Sequence, residues 1–181
     1  FIGDGGTFKG IDKGDTRISE GGLKNIHGTP YYSAFEACVQ SVMASFNSWN
    51  GVKMHGHEYL LTDVLRDQMG FNGLVVGDWN GHGEVPGCTN ADCPESFNAG
   101  VDIYMAPDEW KELYTNTVRA VKSGDISEDR LNDAVRKILT VKQRLGMLDG
   151  RKPHEYENYV GKIEHRELAR EAVSKSLVLI K

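Results

Sequence analysis

Short apolar runs alternate with stretches of helical periodicity, and this pattern constrains the fold more than any other feature of the chain. Residues 39–46 (VQSVMASF), 73–76 and 101–106 (VDIYMA) read as β-strands. Between the first two, 59–69 sets Leu60, Leu61, Val64, Leu65 and Met69 at helical spacing, with Asp63 and Arg66 on the other side. Residues 110–122 and 127–145 repeat that helical pattern, and 95–98 form a shorter helix before Gly100. The order β-α-β-α-β-α-α means parallel strands joined by crossover helices, with both sheet faces covered. A doubly wound sheet and part of a (β/α) barrel both satisfy it, and in both the chemistry collects at the carboxyl ends of the strands.

The flanks read differently. Residues 1–16 carry five glycines and almost no periodicity, as expected of a long binding loop. Residues 148–161, with Gly150, Pro153 and many polar side chains, read as a linker, and 164–175 as a new helix leading into the apolar run SLVLIK. A chain that starts on Phe1 and stops at the beginning of a strand-like run reads as an excerpt of a longer protein. With 181 residues, 39% of them hydrophobic, it can bury a real core. The net charge of -5 is spread without a basic stripe, which argues against nucleic acid as a partner. No apolar run approaches the roughly 20 residues of a membrane span, so no membrane partner is expected, and no signal-peptide pattern opens the chain.

Asp78 follows the run at 73–77 immediately, where a parallel-sheet enzyme holds a catalytic group; a loop acid capping the next helix is the plainer alternative. Trp79 beside it, in a glycine-rich loop, suits a flat platform for a sugar ring. His55 and His57 are two residues apart and, with His82 and Asp78, have the composition of a hydrolytic metal site. Their place in a loop before a helix favours capping and surface hydrogen bonds instead, so no metal is expected. The stretch GDGGTFKG lacks the Gly-Lys-Ser/Thr order of a phosphate loop, and Gly81-His82-Gly83 lacks the dinucleotide spacing. Cys88 and Cys93 can close a small disulfide or remain thiols, and Cys38 reads as a core thiol in a helical stretch.

The segments FIGDGGTFKGID, VMASFNSWNGVKMHG, GLVVGDWNGHG and AVRKILTVKQRLGMLD, in this order and spacing, resemble glycoside hydrolase family 3. The likeness covers the whole chain and is greatest to bacterial exo-acting β-glucosidases and glucan exohydrolases. It implies an α/β fold: the C-terminal half of a (β/α)8 TIM-like barrel over 1–147, a linker over 148–163, and the beginning of an α/β sandwich domain over 164–181. It also implies that Asp78 is the nucleophile of a retaining reaction and that Trp79 lines the sugar subsites. Phe46 stands where plant relatives have a tyrosine near the nucleophile, so it offers packing without a phenol. The family's Lys-His sugar ligands would precede Phe1, and its acid/base glutamate comes from the second domain. The implied substrate is a β-glucan or β-glucoside, with no cofactor, and the implied partner is the remainder of the same chain. Family members are usually exported, which implies a periplasmic or secreted location and allows a Cys88–Cys93 bridge. The rival expectation is a non-catalytic carbohydrate-binding or structural half-barrel.

Overall fold

The computed structural model describes residues 1–150 and 159–180. Among these, six strands form: β1 (Asp15–Thr16), β2 (Ser41–Met43), β3 (Ser48–Trp49), β4 (Val52–Lys53), β5 (Leu74–Trp79) and β6 (Ile103–Met105). The apolar runs meet in one sheet of order β2-β5-β6, parallel throughout, with Ser41 opposite Leu74 and Met43 opposite Val76. This is the α/β arrangement with parallel strands that the alternation predicts. A second sheet, β1-β3-β4, has no counterpart in the periodicity because its strands are two residues long. It is closed by an Asn50-Gly51 turn in which both residues take positive φ, 49° and 89°, the geometry that suits a tight hairpin.

The first helical stretch runs through α1 (Glu20–Gly22), a π-wound segment Leu23–Gly28, and α2 (Thr29–Glu36). Ser19 caps it by accepting a hydrogen bond from the Gly22 N–H. It ends with Cys38 at φ 61°, where the Cys38 and Val39 amides return to Phe35 and Ala34 carbonyls in a left-handed helix stop. Cys38 is therefore an exposed thiol in a turn, not the core thiol its surroundings in sequence suggest. The stop also explains why the strand expected over 39–46 shrinks to three residues.

The helix Tyr59–Gln68 buries Leu60, Leu61 and Leu65 against Val75 and Val101, the face its spacing indicates. A leucine so buried contributes roughly 1.5–3 kcal/mol relative to exposure. Arg66 does not project to solvent with Asp63 as expected. Its guanidinium meets the buried carboxylate of Asp102 at 2.6 Å, and Arg130 meets the other oxygen at 3.0 Å. Asp102 also accepts the Val75 N–H at 2.8 Å, so this cluster fastens the end of the sheet opposite Asp78. After β5 come α3 (Pro94–Ala99), α4 (Trp110–Ser123) and α5 (Glu128–Arg144). Phe97, Ala120, Ile126 and Ala134 form a second buried cluster among them. Ser127 caps α5 through the Arg130 N–H.

Contacts divide the chain into two units, Phe1–Met147 and Leu148–Lys181. In the second, α6 (Ile163–Ser176) is followed by a non-helical stretch over 177–180, and the described residues from 159 to 180 are all exposed. The linker read over 148–163 lies partly outside the described residues, as does Lys181. No helix among the described residues is long and apolar enough to cross a membrane.

Candidate active site

β5 is the central strand of its sheet, and it continues past the expected end at Val76 as far as Trp79. Val76 pairs with Ile103 and Trp79 with Met105, so β5 takes three steps where β6 takes two. The extra residue interrupts the ladder at Gly77-Asp78. The Asp78 N–H turns instead to Nε2 of His55, 2.8 Å away. The Trp79 N–H bonds Asp78 Oδ1 at 2.7 Å, and the Asn80 N–H resumes pairing on the Met105 carbonyl at 2.9 Å. Among the described residues no hydrogen bond reaches Asp78 Oδ2. One carboxylate oxygen is thus held by backbone and the other is left for the cleft.

His55 is 2% exposed, which corrects the expectation of a surface or capping histidine. Space for its ring comes from Gly81, where a Cβ would lie 2.3 Å from Nε2, while a Cβ on Gly77 would make ordinary contact at 3.4 Å. Burial pushes its pKa down from 6.5 to about 4 against the raising pull of Asp78. A ring that accepts at Nε2 must be neutral with its proton on Nδ1, in agreement with that direction. His82 is also buried, bonded through Nε2 to the Asn90 carbonyl at 2.8 Å, and burial lowers its pKa as well. His57 is half-buried beside Trp49. These histidines and Asp78 do not converge on a common point as metal ligands among the described residues.

Asp78 opens into a cleft of about 430 Å³ whose walls include Phe46, Lys13, Asp12, Asp4 and Ser45. The Phe46 ring centroid lies 5.9 Å from that of His55 and 4.2 Å from the Lys13 ammonium, which also pairs with Glu84 at 3.3 Å. The glycine-rich opening segment folds onto this end of the sheet through Asn47. Its fully buried amide donates to Thr16 Oγ1 at 2.9 Å and to the Ile2 carbonyl at 3.3 Å, and its oxygen accepts from Ser45. Asp78 and Phe46 are therefore brought together, whereas Trp79 is 60% exposed at the strand end and does not line this cleft. Cys88 and Cys93 are joined as a disulfide in the loop before α3. Sequence reasoning missed His55 as a partner of Asp78, and Lys13 as a wall of the cleft. Gly81, three residues after the carboxylate, was the available signal for the former.

Residues 1–141 match the Glycosyl hydrolase family 3 N terminal domain. The chain belongs to glycosyl hydrolase family 3. A family relative, the "Beta-xylosidase" of Formosa agariphila, is 33% identical over 197 residues, covering 100% of this chain and 27% of its own length. The "Periplasmic beta-glucosidase" of Salmonella typhimurium is 32% identical, covering 100% of this chain and 25% of its own length. The crystal structure of an exo-1,3/1,4-beta-glucanase from a Pseudoalteromonas species matches 100% of this chain and 23% of that one, with a TM-score of 0.90 and 52% identity. A beta-glucosidase from Listeria innocua matches 95% of this chain and 25% of its own, at TM-score 0.81 and 26% identity. This family 3 chain thus spans about a quarter of the length of these curated relatives.

Proposed function

We propose that the protein is a retaining exo-β-glucosidase that removes glucose from the non-reducing end of β-glucans or β-glucosides, with Asp78 as its nucleophile. The observation that carries this reading is the carboxylate at the bulged end of the central parallel strand, one oxygen fixed by the Trp79 N–H and the other facing a cleft. In the first step Asp78 Oδ2 attacks the anomeric carbon as the glycosidic bond breaks, and the leaving oxygen takes a proton from a carboxylic acid. In the second, water attacks the glycosyl ester and gives its proton to that same carboxylate. The resemblance assigns the acid/base glutamate to the remainder of the chain, so residues 1–181 alone lack half of the machinery. Phe46 gives the sugar an apolar wall, and Trp79 offers a stacking surface toward subsites completed elsewhere in the protein. No cofactor takes part.

In this reading residues 1–147 are the C-terminal half of a (β/α)8 barrel, 148–163 the linker, and 164–181 the start of a sandwich domain. The parallel pairing and the likeness to the exo-1,3/1,4-beta-glucanase support it. A periplasmic or secreted location is supported by the disulfide and by the name of the Salmonella relative. The test is Asp78→Asn in the full-length protein with an aryl β-glucoside. Loss of the nucleophile lowers kcat on the order of a thousandfold, several kcal/mol of transition-state stabilisation. A variant that turns over normally but is about 1 kcal/mol less stable would reduce Asp78 to a loop-holding acid.

A further inference from the structure

We propose that His55 is a positioning residue for Asp78: its Nε2 takes the backbone N–H that the β5 bulge releases and thereby fixes the direction from which the carboxylate approaches the sugar. This rests on the reading of Asp78 as nucleophile. Three independent features meet at this contact. The bulge between Val76 and Trp79 removes Asp78 from the ladder, so its N–H needs another acceptor. The ring of His55 is buried and supplies that acceptor at 2.8 Å. Gly81, three residues after the carboxylate, lacks a side chain where one would strike the ring, a Cβ there falling 2.3 Å from Nε2.

A histidine serving only as core filling would need neither the acceptor nitrogen nor its aim at the peptide of the reacting residue. Asp78 is tied on both sides of its α-carbon, through its own N–H to His55 and through Oδ1 to the next N–H. With the first tie gone, the peptide that sets the side chain's direction is free to rotate, and the carboxylate loses its alignment with the anomeric carbon. Misplacement of a reacting group by about 1 Å can slow a reaction on the order of a hundredfold while substrate contacts persist.

The experiment uses the full-length protein and a 2-deoxy-2-fluoro-β-glucoside with a good leaving group, which forms the glycosyl ester and releases it slowly. The readouts are the maximal labelling rate and the half-saturating concentration for wild type, His55→Phe, His55→Gln and Gly81→Ala. Phenylalanine fills the ring's volume without an acceptor, and glutamine can place a carbonyl oxygen where Nε2 stands. The expected result is a maximal rate roughly 10–100-fold lower in His55→Phe, half-saturation within about threefold of wild type, and recovery of most of the rate in His55→Gln. Gly81→Ala, which displaces the ring without altering its chemistry, should show the same loss and decides the matter if His55→Phe does not fold. Wild-type labelling rates in His55→Phe or Gly81→Ala, a loss confined to half-saturation, or failure of glutamine to restore the rate in a folded variant would overturn the positioning role. Wild-type label on a carboxylate other than Asp78 is a different outcome, because it removes the nucleophile reading itself.

Discussion

At the scale of single residues, the neighbourhood of Asp78 is governed by one neutral imidazole. His55 in the folded protein holds its proton only near pH 4, whereas in the unfolded chain it takes one up near 6.5. Below about pH 6.5 the unfolded state therefore binds the extra proton, and stability falls with pH by up to roughly 1.4 kcal/mol per pH unit from this group until about pH 4. Above 6.5 the group contributes no slope. His57 and His82, also lowered by burial, add in the same direction. Chemical denaturation between pH 7 and pH 4 should show this decline in the wild type and a shallower one in His55→Gln; equal slopes would mean that His55 titrates freely in the fold. The place of Asp78 at the end of β5 was legible in sequence because an acid closing an apolar strand is a local pattern, whereas Phe46 entered only through the family resemblance and Trp79 lies outside the cleft. The role of His55 was not legible, because its contact with Asp78 spans 23 positions and a histidine between lysine- and glycine-containing turns reads as surface.

Elements show the same division between local and distant causes. The strands β2, β5 and β6 and the amphipathic helices at 59–69, 110–122 and 127–145 follow from periodicity. The stretch from Glu20 to Glu36 does not, because Gly21, Gly22, Gly28 and Pro30 read as breakers. In the fold Gly22 faces Ile18 so closely that a Cβ would lie 2.5 Å from its Cγ1, so this glycine serves packing within a helix. Arg66 was misread for a related reason: a charge on a helix face is solvated by default, and only the fold brings Asp102 to it. Asp102→Ala leaves the largely buried Arg66 cation without its partner and Arg130 with only the longer contact to Asp133 at 3.6 Å, and denaturation should show a loss of about 3–5 kcal/mol. A loss under 1 kcal/mol would mean that water already compensates these charges. The Cys88–Cys93 bridge spans a short loop, and by chain entropy its removal in the double Cys→Ser variant should lower stability by about 2 kcal/mol. Identical melting of the variant and the unreduced wild type would show that the bridge does not constrain the unfolded chain.

For the whole molecule, the proposed nucleophile sits on the central strand of a parallel sheet, and in the proposed function its acid/base partner comes from outside residues 1–181. The sheet's edges, β2 and β6, have no further strand partner among the described residues, as the proposed half-barrel requires. The alternation of parallel strands with helices was readable from the chain; the order of the strands in the sheet and the short sheet β1-β3-β4 were not, because they depend on pairings between distant residues. The central claim concerns one bond, between Asp78 and the anomeric carbon of glucose, and it can be observed directly. Full-length protein incubated with a 2-deoxy-2-fluoro-β-glucoside, digested at low pH and mapped by mass spectrometry should carry the fluorosugar as an ester on the peptide containing Gly77-Asp78-Trp79. Fragmentation should place it on Asp78. The ester on any other carboxylate, or turnover of the reagent with no labelled peptide and undiminished activity in Asp78→Asn, would contradict the account.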